Sequence, residues 1–385
     1  MLRSLFCCLL IASISCRGFT AAAAEKKPEI SFKRTQLEGK FRSEGVAVGD
    51  FNSDGKLDIG AGPVYFAAPD WKMVPIVEKP QEYDPHGYSN SFVCFADDVN
   101  GDGRTDLIVG DFPGKETWWF EQPEDPAGKW KRHTATPITN NESPSYVDVD
   151  GDGQRELLFG YDPGKHIGLA KPTADGLWPI TPISGPNAPG TDRFSHGIGT
   201  GDISGDGRND VMVADGWWEA PPEGSGASWV FHPGKLSDAC AHMYAYDFDG
   251  DGDNDLLSSS AHQIGIWWHE NTPEGFKTHE ITNQITQTHS LNLVDMNDDG
   301  LPDIVTGKRW WAHGPKGDAR PDDPAVVFWF ELSREDGKPV WTPHEIDHDS
   351  GVGTQFEVAD VNGDGLLDVV TSNKKGTYYF EQQRN

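Results

Sequence analysis

The sequence predicts an all-β fold, a seven-bladed β-propeller whose ring is closed by the N-terminal strand. Three observations carry this. An acidic, glycine-containing loop recurs seven times, starting at Asp50, Asp98, Asp148, Asp202, Asp247, Asp295 and Asp360, at spacings of 48, 50, 54, 45, 48 and 65 residues. Each copy runs into an apolar stretch such as TDLIVGD, NDVMVAD or LDVVTS, followed in most units by an aromatic one such as WWFEQ, WWHEN or YYFEQ. The last unit stops at YYFEQQRN, whereas SFKRTQL at 31–37 reads like the outer strand WKRHTAT at 130–136. Repeats of about 50 residues, each with about four short strands, mark a propeller. An N-terminal strand added to the last unit would protect the edges that an open ring exposes.

In chain order, residues 1–24 come first. Arg3 precedes the apolar run LFCCLLIASIS, and Ala22–Ala24 supply an A-x-A cleavage pattern. This reads as a secretory signal peptide and predicts a secreted or periplasmic protein. Cys16 is a candidate lipid-attachment site, but Ser13 stands where a large aliphatic residue is usual, so a lipoprotein is the less favoured reading. Residues 25–385 are then expected to form one propeller domain. No other apolar stretch is long enough to cross a bilayer. Three of the five cysteines leave with the signal. Cys94 and Cys240 fall in the second and fifth units, too far apart around a ring for a disulfide. Bound calcium and the 14 tryptophans are the expected stabilisers.

The loops are read as calcium ligands. Positions 1, 3, 5 and 9 place hard oxygens on alternate residues around a tight turn at a glycine in position 6. The sets are Asp50, Asn52, Asp54 and Asp58; Asp98, Asn100, Asp102 and Asp106; Asp148, Asp150, Asp152 and Glu156; Asp202, Ser204, Asp206 and Asp210; Asp247, Asp249, Asp251 and Asp255; Asp295, Asn297, Asp299 and Asp303; and Asp360, Asn362, Asp364 and Asp368. The last acid stands at 9 rather than 12, and a strand follows, so these are loops between strands rather than EF-hands. Glu156 and Ser204 depart from the pattern and predict weaker binding in their loops.

The formal net charge is −29, and 25 of the 61 acidic residues lie within the seven loops, so calcium would neutralise much of the excess. No basic patch suits a phosphate backbone, which argues against nucleic acid. There is no C-x-x-C-H for haem and no glycine-rich phosphate loop.

The D-x-N-x-D-G-x-x-D units resemble the FG-GAP or VCBS-type repeats of integrin α-subunit propellers and of many secreted bacterial proteins. The resemblance covers essentially the whole chain after residue 24. The literal Phe-Gly and Gly-Ala-Pro signatures are missing or degraded, as in AGP at 61–63. The stretch SHGIGTGDISGDGRNDVMVADGWWE is similar to the propeller of aldos-2-ulose dehydratases, sugar lyases whose cupin domains are absent here. That resemblance implies a carbohydrate substrate.

If the first strand of each unit lies by the channel and runs into the loop, the residues ahead of the loop line the opposite, top face. Six residues before each first aspartate stand Glu44, Phe92, Glu142, His196, Ala241, His289 and Thr354; five before stand Gly45, Val93, Ser143, Gly197, His242, Ser290 and Gln355. Consecutive units thus offer His196, His242 and His289, with Gln355 beside them, as candidate ligands for Zn²⁺ or Mn²⁺. His242 and Gln355 are one residue out of register with the other two. Glu142 is a candidate ligand or base. The ends of the second strands add Asp111, Asp162, Asp215, His262, Lys308, Arg309, Lys374 and Lys375, with Lys308 and Arg309 candidates for holding an anionic oxygen. An insert, AHGPKGDARPDDPAV at 312–326, is expected to roof this face. The W-x-x-H histidines His133, His232, His279 and His344 recur on the outer strand and are read as structural.

Two functions stand open. One is a metal-assisted lyase, dehydratase or isomerase acting on a sugar, using Glu142, His196, His242, His289, Lys308 and Arg309. The other is a non-catalytic propeller that binds a glycan or a protein.

Overall fold

The computed structural model describes residues 29–238 and 240–384, so the expected signal segment lies outside the described residues. Among the described residues the fold is all-β apart from a single 3₁₀ turn at Gly314–Lys316. Each repeat contributes four strands ordered from channel to rim. In the first they are Ala47–Gly49, Asp58–Ala61, Val64–Ala67 and Lys72–Pro75, antiparallel throughout.

The count of seven separate blades is corrected. Five sheets stand alone as four-stranded blades. The units that carry the loops at Asp202 and Asp247 are joined in one eight-stranded sheet. Their innermost strands, Ile198–Gly201 and Met243–Tyr246, pair in parallel through Gly199 with Met243 and Thr200 with Tyr244. The cause is steric. A Cβ on Gly199 would lie 2.0 Å from the Met243 carbonyl oxygen, and one on Gly201 would lie 2.7 Å from the Ala245 Cβ. Absent side chains at both positions bring the two backbones within ladder distance.

The strand Ile30–Glu38 is the outer member of the last sheet. It runs antiparallel to Gly376–Arg384, with Ser31 opposite Gln383 and Gln36 opposite Tyr378. The two ends of the described chain are therefore held in one sheet. Cys94 and Cys240 are buried free thiols.

The acidic loops have an architectural role that their spacing did not disclose. The position-6 glycine has positive φ in every loop, from +83° at Gly55 to +104° at Gly252. The first carboxylate caps the turn: Asp50 accepts hydrogen bonds from the Asn52, Asp54 and Gly55 N–H groups. The ninth-position acid turns inward and is buried. Asp303 accepts from Met296 N–H at 2.9 Å and from Leu332 N–H at 2.8 Å, fastening the loop to the aromatic third strand. Asp58, Asp106, Asp255 and Asp368 make the equivalent pair of bonds, and Asp210 makes three. Replacing Asp303 by Ala would leave two buried N–H groups unpaired. It is expected to cost about 2–4 kcal/mol in urea unfolding; a loss below about 0.5 kcal/mol would show that the clasp is dispensable.

The rim is held by a recurring triplet. His133 stacks on Trp119 at 4.2 Å, His232 on Trp217 at 4.2 Å, His279 on Trp268 at 4.5 Å and His344 on Trp329 at 4.3 Å. Each imidazole also bonds a glutamate, respectively Glu121, Glu219, Glu270 and Glu331.

His269 is a different case. It is 3% exposed and lies between the Ser258 and Thr278 hydroxyls. Burial, and to a lesser degree the neighbouring His279, pulls its pKa down to about 4. Between about pH 6.5 and 4 the unfolded chain binds a proton here and the folded one does not, so stability rises with pH across that window and is lost as pH falls through it. The loss attributable to His269 is expected to reach about 3 kcal/mol. His269→Gln should flatten the profile of unfolding free energy against pH; an unchanged profile would show that other groups set it.

Candidate functional site

At the top of the channel the residues ahead of the loops meet the ends of the second strands. Glu142 and His196 precede the first strands of the third and fourth units, and Glu142 N–H bonds the Ser195 carbonyl. His289, fully buried, precedes the first strand of the sixth. His262 follows the second strand of the fifth, and Arg309 that of the sixth.

Three imidazoles converge. One ligand nitrogen from each of His196, His262 and His289 lies within 4.8 Å of the others. His196 Nε2 and His262 Nε2 are 3.1 Å apart. Glu142 Oε2 lies 3.4 Å from His196 Nε2 and 3.7 Å from His289 Nδ1. Burial alone would push the Glu142 carboxyl up. The bond to His196 and the charges of Arg309, His196 and His262 prevail and hold it at about 2, so it is a carboxylate. His289 is kept neutral, first by burial and then by Arg309 and the neighbouring histidines. Two nitrogens bound at about 2.1 Å in a tetrahedral arrangement stand roughly 3.4 Å apart, so imidazoles at this spacing beside a carboxylate fit a divalent transition ion.

Arg309 forms the floor. It is 1% exposed, pairs closely with Glu44, and donates to Glu142 Oε2 at 3.0 Å; its Nη1 is also 3.2 Å from His289 Nε2. Its neighbour Lys308 faces elsewhere, its ammonium donating to the carbonyls of Arg320, Pro321 and Asp323 at 2.5–2.9 Å. The expected anion-holding role for Lys308 is therefore replaced by a clamp on the insert.

The insert does roof the centre. Ala319 N–H bonds the His262 carbonyl, and Asp318 accepts from both His262 Nδ1 and His313 Nδ1 at 3.0 Å. Although burial raises the Asp318 carboxyl, the hydrogen bonds from these two imidazoles dominate and set it well below the usual range. Lys374 lies 4.3 Å from the Tyr88 ring centroid and reaches the Trp311 and Ala312 carbonyls at 3.3 and 3.4 Å. Burial pulls its pKa down to about 8, against the opposing charge of Glu44. The group is nearly sealed: the His196 and Glu142 side chains are 8% and 6% exposed, against 20% for His262 and 39% for His313. Approach is therefore from the His262–His313 side.

Two of the sequence-predicted ligands are elsewhere. His242 and Gln355 are not in the imidazole group; both line a cavity of about 470 Å³ on the loop side of the channel. Their one-residue offset explains this, because successive strand residues point to opposite faces. Gln355 Oε1 accepts from Val46 and Cys94 N–H, and its amide donates to Glu357. His262 takes the place foreseen for His242. The sequence signal for His262 was its position at the end of a second strand.

The FG-GAP-like repeat profile matches residues 98–159 and 247–306, two of the loop–strand units just described. Two FG-GAP-like repeats thus lie within a β-propeller arrangement of sheets. No curated protein matches it. Among solved structures the propeller is similar to an ancestral GH74 enzyme, with 12% identity, TM-score 0.54, and 90% of this chain and 48% of that chain covered. It is also similar to BBS1N in complex with ARL6DN, with 10% identity, TM-score 0.53, and 91% and 96% covered. A lectin from Agrocybe aegerita that recognises non-reducing terminal N-acetylglucosamine aligns with 15% identity, TM-score 0.47, and 92% and 86% covered. At 10% and 12% identity, the first two likenesses speak for the fold alone. Among the described residues no helix is long and apolar enough to cross a membrane.

Proposed function

We propose that the propeller is a metal-assisted lyase or isomerase acting on a small carbohydrate derivative at the top of the channel. The observation that carries the reading is the convergence of His196, His262 and His289 on the ionised Glu142. A divalent transition ion held by these residues would polarise a carbonyl or carboxylate beside a sugar C–H. Lys374, with its pKa drawn toward neutrality, is poised to take or return a proton. Arg309 fixes Glu142 in its charged state, and the insert limits water through Asp318, His313 and Ala319. The test is turnover of a panel of uronic acids and uloses, followed by the ultraviolet absorbance of the conjugated product. Activity should be lost on chelation and restored by Zn²⁺ or Mn²⁺; activity that is unaffected by chelation would overturn the reading.

A binding role has its own support. Trp310 and Trp311 stack at 5.0 Å with an 8° interplanar angle, and Lys375 lies 5.2 Å from the Trp310 ring centroid, a surface suited to a sugar face. Glycan-array binding that persists in a His262→Ala variant would favour this role.

We further propose calcium in the acidic loops. Support comes from the gathered carboxylate oxygens of Asp148, Asp150 and Glu156, and of Asp247, Asp249 and Asp251. Glu156 Oε1 is buried without a hydrogen-bond partner, with the Lys171 ammonium 3.9 Å away, so the longer side chain keeps an oxygen at its loop. Removing calcium with a chelator is expected to lower the melting temperature by mass action; an unchanged value would make the loops acidic turns only.

A further inference from the structure

The cavity on the loop side of the channel is separated from the imidazole group by a polar belt. Ser143 donates to the Thr354 carbonyl at 3.0 Å, and Gln355 spans Val46, Cys94 and Glu357. Below this belt the innermost strands of the units surround about 470 Å³. Its walls are strongly aromatic. Phe95 stacks on Tyr146 at 5.4 Å, and Tyr244 and Phe356 line the same space.

Two polar groups in this chamber lack the partners their chemistry calls for. Glu357 has no cation within ion-pair distance among the described residues; its one recorded bond is from the Gln355 amide at 3.0 Å. The nearby Arg155 is committed elsewhere, to Asp97 at 3.2 Å and to the Ala96 carbonyl, with its guanidinium 4.9 Å from the Tyr146 ring centroid. Tyr146 donates to Asp97 as well, and Tyr244 to the Leu291 carbonyl. His242 is bonded to the Pro144 carbonyl, which leaves its buried Nδ1 as an acceptor without a donor. A lone carboxyl and a bare imidazole nitrogen, framed by aromatic rings, both call for an N–H-bearing cation.

We propose that this lower chamber binds a small primary alkylammonium ion, with Glu357 as counter-charge, His242 Nδ1 accepting one N–H, and the aromatic walls holding the alkyl body. A neutral alcohol meets the acceptors but not the charge. A quaternary ammonium meets the charge but has no N–H for His242. This site is independent of the imidazole group and of the loop carboxylates.

The test is calorimetric titration of the purified, calcium-saturated protein at about pH 8 with n-butylammonium, n-butanol and tetramethylammonium. Saturable binding of n-butylammonium at one site is expected, with the other two at least about tenfold weaker. Glu357→Gln keeps size and hydrogen bonding while removing charge, and should weaken n-butylammonium about tenfold or more. His242→Asn provides a second reading should that variant fail to fold, with weakening again expected. Equal affinity for butanol, undiminished binding by the folded variants, or no saturable binding would each overturn the proposal.

Discussion

Arg309→Met is expected to destabilise the protein by about 3–5 kcal/mol, the loss typical of a buried ion cluster deprived of one sign of charge. The guanidinium is 1% exposed and faces two carboxylates whose side chains are 1% and 6% exposed. Glu44 already has one oxygen, Oε1, buried without a hydrogen-bond partner. Removing the cation would leave Glu44 and Glu142 to protonate or repel each other. The combined change Arg309→Met, Glu44→Gln and Glu142→Gln should recover much of the loss, because the penalty arises from unpaired charge rather than from lost volume. Urea unfolding of the three forms measures this. Equal stability of Arg309→Met and the wild type would show that the cluster is solvated and that Glu142 is not held ionised by Arg309.

The second large effect separates the two histidines of the fifth unit. His262→Ala is expected to abolish retention of a transition ion and the turnover that depends on it, because it removes one of three converging imidazoles. His242→Ala should leave both within about twofold, since that ring lines the opposite chamber. The readouts are metal content after gel filtration and activity with added metal. Loss of metal in His242→Ala with retention in His262→Ala would invert the assignment.

The contrast shows where the sequence was legible. The loops were readable because nine contiguous residues encode them: the glycine at position 6 adopts positive φ, and the acids fall where the turn presents oxygens. Their second role, clasping two backbone N–H groups, involves Leu332 for Asp303 and Gln122 for Asp106, partners distant in sequence and invisible to spacing. The joined sheet depends on the approach of Gly199 to Met243, a distance between units that no repeat count contains. Counting back from each loop singled out Glu142, His196 and His289, whose side chains lie near one another. It also singled out His242, which lines the other chamber, because one residue of offset reverses the direction of a strand side chain. Lys308 looked like an anion holder beside Arg309, yet consecutive residues point apart, and its ammonium serves the insert instead.

His196, His262 and His289 are proposed to share one ion. X-ray absorption spectroscopy of protein purified without a polyhistidine tag, combined with metal analysis, tests it most directly. One transition ion per chain is expected, with three imidazole nitrogens at about 2.0–2.1 Å and an oxygen ligand. A protein that retains no such ion when supplied with Zn²⁺ or Mn²⁺, or an ion surrounded by oxygen alone, would contradict it.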